Sequence, residues 1–112
     1  MEIDIIQRDV HAADLQDHVI RRIHAALDRF DAHVLRVTVR LRDENGPKGG
    51  GDDIACRIEI KLRGHELFIE ERGATPEAAI AAAADAAQEA VRREAGRRKR
   101  GVGGQRNREA GA

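Results

Sequence analysis

The fold is decided in the stretch VLRVTVRLRDENGPKGGGDDIACRIEIKLRGHELFIEE, residues 34–71, where apolar and polar side chains alternate through three runs. In the first run Val37, Val39 and Leu41 fall on one face and Arg36, Thr38, Arg40 and Arg42 on the other. The second repeats the pattern, with Ile54, Cys56, Ile58, Ile60 and Leu62 set against Arg57, Glu59, Lys61 and Arg63. After a turn at Gly64-His65, Leu67 and Ile69 oppose Glu66, Phe68 and Glu70. A period of two sustained over such lengths predicts strands that bury one face only, and three in succession predict an antiparallel sheet with its cover on one side. Between the first two runs, Asn45-Gly46 and the glycines at 49, 50 and 51 predict a long hairpin tip over residues 43–53.

Working outward, Met1, Ile3 and Ile5 alternate with Glu2 and Asp4, which predicts a short leading strand. From about Ala13 the period changes to that of a helix: Leu15, Val19, Ile23, Leu27 and Phe30 share a stripe that Asp17, Arg21, Arg22 and Asp28 avoid. Beyond the strands, Thr75 suits a helix cap, Pro76 the first helical position and Glu77 the positive end of the helix dipole. That helix has a slender buried stripe of Ile80, Ala83, Ala84, Ala87 and Val91, and Gly96 is expected to end it. The remainder, RRKRGVGGQRNREAGA, is too polar and glycine-rich to pack. The expected architecture is α+β, in the order β-α-β-β-β-α, with a mostly antiparallel four-stranded sheet and two helices on one face. Residues 1–95 form one domain and residues 96–112 a basic, disordered tail.

The length of 112 residues suits a single core. Formal charge balances at 20 basic against 20 acidic residues, but six of the basic residues and only one acid, Glu109, lie beyond residue 95. Contact with a polyanion is therefore expected to be local and salt-dependent. The single Cys56 cannot close an intramolecular disulfide. Met1 is followed by acids where a secretory leader would be basic and then apolar, and no apolar run reaches membrane-spanning length, so a soluble, cytoplasmic protein is expected. With no Trp or Tyr and only Phe30 and Phe68, an RNA reader that stacks bases on sheet aromatics is not expected.

The element order, the phrase ALDRFDAHVLRVTVRL, the run GHELFIEERGATPEAAI and the basic end of the second helix together resemble the ribosome hibernation-promoting factor and ribosome-associated inhibitor A family. The hairpin DENGPKGGGDDIAC is similar to a variant branch of short members. The resemblance covers about residues 1 to 100. It implies a fold akin to a double-stranded-RNA-binding domain. The implied function is non-catalytic: a translation regulator that binds the small ribosomal subunit near the decoding region and promotes hibernation of idle ribosomes. It also implies rRNA-contacting roles for Arg22 on the first helix and for Arg92, Arg93, Arg97, Arg98, Lys99 and Arg100 at the end of the second. The chain departs from that pattern at Glu77, Ala86 and Gln88, where relatives carry aromatic or basic residues.

Other chemistry finds little support in the residues. The mixed-sign sheet face, with Arg36, Arg40, Arg42, Arg57, Lys61 and Arg63 among Glu2, Asp4, Glu59, Glu66 and Glu70, reads as a solvated, ion-paired surface. In the hairpin tip, Lys48 and the glycine amides could touch phosphate, and Asp43, Asn45, Asp52 and Asp53 could gather a cation, but the spacing matches neither a phosphate loop nor an EF-hand. His11, Asp14 and His18 are too loosely spaced for a zinc site, so no metal or other cofactor is expected. The chain contains no serine, and no nucleophile-base spacing suggests an enzyme or a small-molecule substrate. Two further readings stand beside the ribosomal one: a general double-stranded-RNA module, and a protein-interaction domain that forms a weak homodimer.

Overall fold

The computed structural model describes residues 1–8, 14–44 and 53–101, the last four of these as backbone only. Along the chain lie β1 (Glu2–Arg8), α1 (Leu15–Leu27) with a 3-10 turn at Asp28–Phe30, β2 (Val34–Asp43), β3 (Ile54–Leu62), β4 (His65–Gly73) and α2 (Pro76–Gly101). The four strands form one sheet in the order β1-β2-β3-β4. β1 runs parallel to β2, because α1 carries the chain back across the sheet between them, while β2-β3 and β3-β4 are antiparallel. This is the expected α+β arrangement.

The alternation in the sequence becomes a two-faced sheet. Val37, Val39, Leu41, Cys56, Ile58 and Ile60 are essentially inaccessible beneath the helices, while Phe68 on the other face is 58% exposed. A bulge between Val34 and Arg36 leaves Leu35 without a partner on β3 and turned outward. At the turn into β4, Gly64 adopts a φ of 75°, a conformation that favours glycine. At the base of the hairpin tip the amide of Glu44 donates to the carbonyl of Asp53 at 3.0 Å. Residues 45–52, and with them the expected contacts of Lys48, Asn45 and Asp52, lie outside the described residues, as does His11.

α1 contributes Leu15, Val19, Ile23 and Leu27 to the core, as its period predicts. α2 contributes Ala79, Ile80, Ala83, Ala84, Ala87 and Val91. Its start is capped as expected: the amide of Ala78 donates to Oγ1 of Thr75 at 3.1 Å. Four alanines in the stripe bring the α2 backbone close to the strands, at the cost of little apolar area per residue. At Gly73, where β4 leads into α2, a Cβ would stand 2.5 Å from the Ala79 nitrogen.

The end of α2 corrects one expectation. The helix does not stop at Gly96 but continues to Gly101. A glycine inside a helix costs only about 1 kcal/mol relative to alanine. Here Ala95 precedes it, Arg97 to Arg100 are good helix formers, and Arg97 bridges back across it to Glu94 at 2.8 Å. Gly96 therefore lies within the helix, and of the expected tail only residues 102–112 fall outside the described chain.

Two outcomes follow from this packing. Gly73→Ala places a methyl group against the α2 backbone and should lower unfolding free energy by about 1–3 kcal/mol in denaturant titrations, with an unchanged slope. Burial pushes the Cys56 thiol up to about 12, so a maleimide at pH 8 should label it only on unfolding. Because the folded thiol holds its proton more tightly than the unfolded one, this group's contribution is fully present below about pH 9. It should be lost as the pH rises toward 12, which alkaline melts would record.

Candidate nucleic-acid interface

The end of α2 that runs past the β3-β4 turn carries three of the expected basic side chains within one stretch of helix. Arg92, Arg93, Gly96 and Arg97 line an open depression on the helix surface, to which the glycine contributes no side chain. The side chains are 59%, 70% and 68% exposed, so each charged head reaches water. For Arg98, Lys99 and Arg100 the backbone continues the helix, and their side chains lie outside the described residues.

These arginines are already engaged with carboxylates. Nε and one terminal nitrogen of Arg92 donate to the two oxygens of Glu89 at 3.1 and 2.5 Å, and Arg93 Nε donates to the same carboxylate at 3.1 Å. The Arg92 hydrogen bonds, then the charges of Arg92 and Arg93, hold the Glu89 carboxyl below the usual carboxylate range. The hydrogen bonds from Arg92 to Glu89 in turn hold the guanidinium above its usual range. Pairs this exposed contribute little to stability. Their larger effect is to pre-position two guanidiniums at spacings of three and four residues. Arg97 is held differently. Its partner, Glu94, is only 8% exposed, and His65 Nε2 stands 3.8 Å from the same carboxylate, so β4 and α2 meet there around a sheltered charge.

Arg22 does not join this cluster. It reaches from α1 to Asp85 of α2 at 3.9 Å, in a groove also lined by Ala25, Ala26, Ala84 and Gln88. Asp85 lies seven residues before Arg92, or about 10 Å along the helix axis. Nε of Arg22 is buried with no hydrogen-bond partner among the described residues.

The outer sheet face is ion-paired in the way the mixed signs predict. Arg36 binds Glu2 at 2.6 Å and approaches Asp4 at 3.6 Å, while Glu59 receives Arg40 at 3.1 Å and Arg57 at 3.4 Å. Two basic residues that the strand pattern does not single out belong to this face. Arg72 pairs with Glu44 and stands 3.6 Å from Glu70, and Arg8 is exposed at the end of β1. Among the described residues no group of three or more His, Cys, Asp or Glu is placed to hold a metal ion. No described helix is long and apolar enough to cross a membrane.

Comparison with known proteins agrees with the arrangement. A family model described as Sigma 54 modulation protein / S30EA ribosomal protein matches residues 3–99. The chain is similar to the crystal structure of the Thermus thermophilus Protein Y N-terminal domain, with 28% identity and a TM-score of 0.69 over 84% of this chain and 99% of that one. Its fold is also that of a ribosomal subunit interface protein from Coxiella burnetii, with a TM-score of 0.71 and 9% identity over 86% of this chain and 99% of the other. No curated protein sequence matches the chain.

Proposed function

Because this chain belongs to the Sigma 54 modulation protein / S30EA ribosomal protein family, we propose that it binds the small ribosomal subunit near the decoding region and keeps idle ribosomes silent. Ribosome association and regulation of translation follow from the family. The small subunit, the decoding region and the residues in contact belong to the proposal. In this reading the protein works in the cytoplasm, by occupancy and without catalysis or a cofactor.

The observation that carries the reading is the three-arginine depression at the end of α2. Arginine side chains that line an open hollow suit phosphate oxygens, which their forked donors grip bidentately. Arg98, Lys99 and Arg100 extend the same helix, and Lys48 in the hairpin tip is a further rRNA contact in this proposal. Arg22 would meet phosphate at a separate point on α1, where its partly exposed side chain stands beside Asp85.

Glu89 makes the reading testable in both directions. Binding phosphate requires Arg92 and Arg93 to exchange a carboxylate for the ligand, so Glu89 competes with RNA for them. Arg92→Gln with Arg93→Gln should weaken co-sedimentation with small ribosomal subunits by about tenfold or more near 0.1 M salt. The slope of log affinity against log salt should flatten by about 1–2. Glu89→Gln should shift both quantities the opposite way, by a few-fold in affinity, with melting temperatures little changed in every case. Parental binding by both variants at each salt concentration would remove α2 from the interface. Equal affinity for an isolated RNA duplex and for subunits would favour a general duplex-binding module.

A further inference from the structure

The register of the sheet separates charge along its open face in a way that no single strand reveals. Reading across the strands, one row is Glu2, Arg36, Lys61 and Glu66, and the next is Asp4, Thr38, Glu59 and Phe68. The third row is Ile6, Arg40, Arg57 and Glu70, and the fourth is Arg8, Arg42, Ala55 and Arg72. The first two rows hold four acids against Arg36 and Lys61; the last two hold five arginines against Glu70 alone. The face is therefore negative toward the β3-β4 turn and strongly positive toward the end where β4 hands over to α2.

The positive end is built at a cost to the fold. Arg40 stands directly across from Arg57, and Arg8 beside Arg42, and like charges in facing positions destabilise a strand pair. Glu59 relieves the first pair, being within 3.4 Å of both guanidiniums. Glu44 binds Arg72 and lies within the field of Arg42. Arg8 has no carboxylate within ion-pair distance among the described residues, and it is exposed. Ala55 places only a methyl group between Arg42 and Arg72, whose strands stand about 10 Å apart.

From this geometry we propose that the end of the open sheet face formed by Arg8, Arg40, Arg42, Arg57 and Arg72 is a second RNA-backbone contact, distinct from the α2 arginines. It rests on the ribosomal reading above and adds to it a second footprint. All five cations at this end are arginines, whose planar forks suit phosphate better than a lysine point charge does. A protein partner would instead need an apolar centre from which charge is depleted, and the face offers only the scattered Ile6, Leu35 and Phe68 among the described residues. The two positive surfaces lie at opposite ends of the domain. The α2 arginines project past the β3-β4 turn, where Glu94 meets His65, and the Arg8 end lies about six residues of strand away, or about 20 Å. The acidic rows between them on the sheet face repel phosphate, so one RNA strand cannot run continuously over that face. Two separated RNA segments, or a fold that brings them together, are required.

The test uses the full chain and purified small ribosomal subunits across a salt series. Arg8→Gln with Arg42→Gln should weaken binding about tenfold and flatten the salt slope by about 1–2. Melting temperature should hold or rise, because a like-charge pair has gone. Arg36→Gln with Lys61→Gln, in the acid-containing row, should bind within about twofold of the parent. Combining the Arg8 and Arg42 changes with Arg92→Gln and Arg93→Gln should give the sum of the two free-energy losses, since the sites are well separated. If the parent binds and the α2 variant is weakened but the Arg8 and Arg42 variant is not, this second contact is overturned and the ribosomal reading stands. If the parent shows no salt-dependent binding, both fall. Equal weakening by the Arg36 and Lys61 variant would overturn the polarised face. So would a loss seen with polyglutamate but not with RNA, which would assign the end to an acidic protein.

Discussion

Everything else in this domain depends on how closely α2 approaches the sheet. Gly73 and the alanines at 79, 83, 84 and 87 remove the side-chain bulk that normally holds a helix away from strands, and Thr75 caps the helix within two residues of the last strand. The direction of α2 is set at that junction. It crosses the sheet alongside β4, meets His65 through the sheltered Glu94, and extends its basic end past the β3-β4 turn. A bulkier residue at Gly73 would alter the angle of departure, and with it the position of every arginine from 92 onward. Packing at one end of the helix thus controls presentation of charge at the other.

The second organising principle is that carboxylates hold most of the exposed arginines in place. Glu89 holds two of them and Glu94 a third on α2, while Glu59 holds two more on the sheet. In water such pairs stabilise the fold little, but they lower the rotamer freedom that a long side chain must surrender on binding. They also set the balance with phosphate: a ligand must offer more than the carboxylate it displaces. A balanced formal charge is therefore compatible with local affinity for a polyanion, because the acids are placed among the bases and not spread uniformly.

The sheet face extends the same reasoning to a larger scale. Each strand carries both signs, yet the register stacks Glu2 with Glu66 and Asp4 with Glu59 in the rows at one end, and Arg8, Arg42 and Arg72 in the row at the other. A shift of one residue in any strand would turn its inward residues outward and destroy both the core and this polarity. The same constraint that buries Val39 and Ile58 therefore also sorts the charges.

The sequence by itself determined the faces of the strands, the stripe of each helix and the Thr75 cap, because these follow from the local periods of two and 3.6 and from hydrogen bonds spanning three residues. It also contained the Glu89 pairing, legible from the three- and four-residue spacing to Arg92 and Arg93. The end of α2 was less legible. A glycine is a stop signal only when its surroundings agree, and at Gly96 the neighbouring helix formers and the Glu94–Arg97 bridge outweigh it. Only the tertiary structure decided that Glu94 is sheltered, that Arg22 stands apart from the α2 cluster, and that Arg8 and Arg72 join Arg40, Arg42 and Arg57 at one end of the sheet. Those relations join residues from different elements of the chain, and strand register and helix placement, which align them, are set by the packed core as a whole and not by any local stretch of sequence.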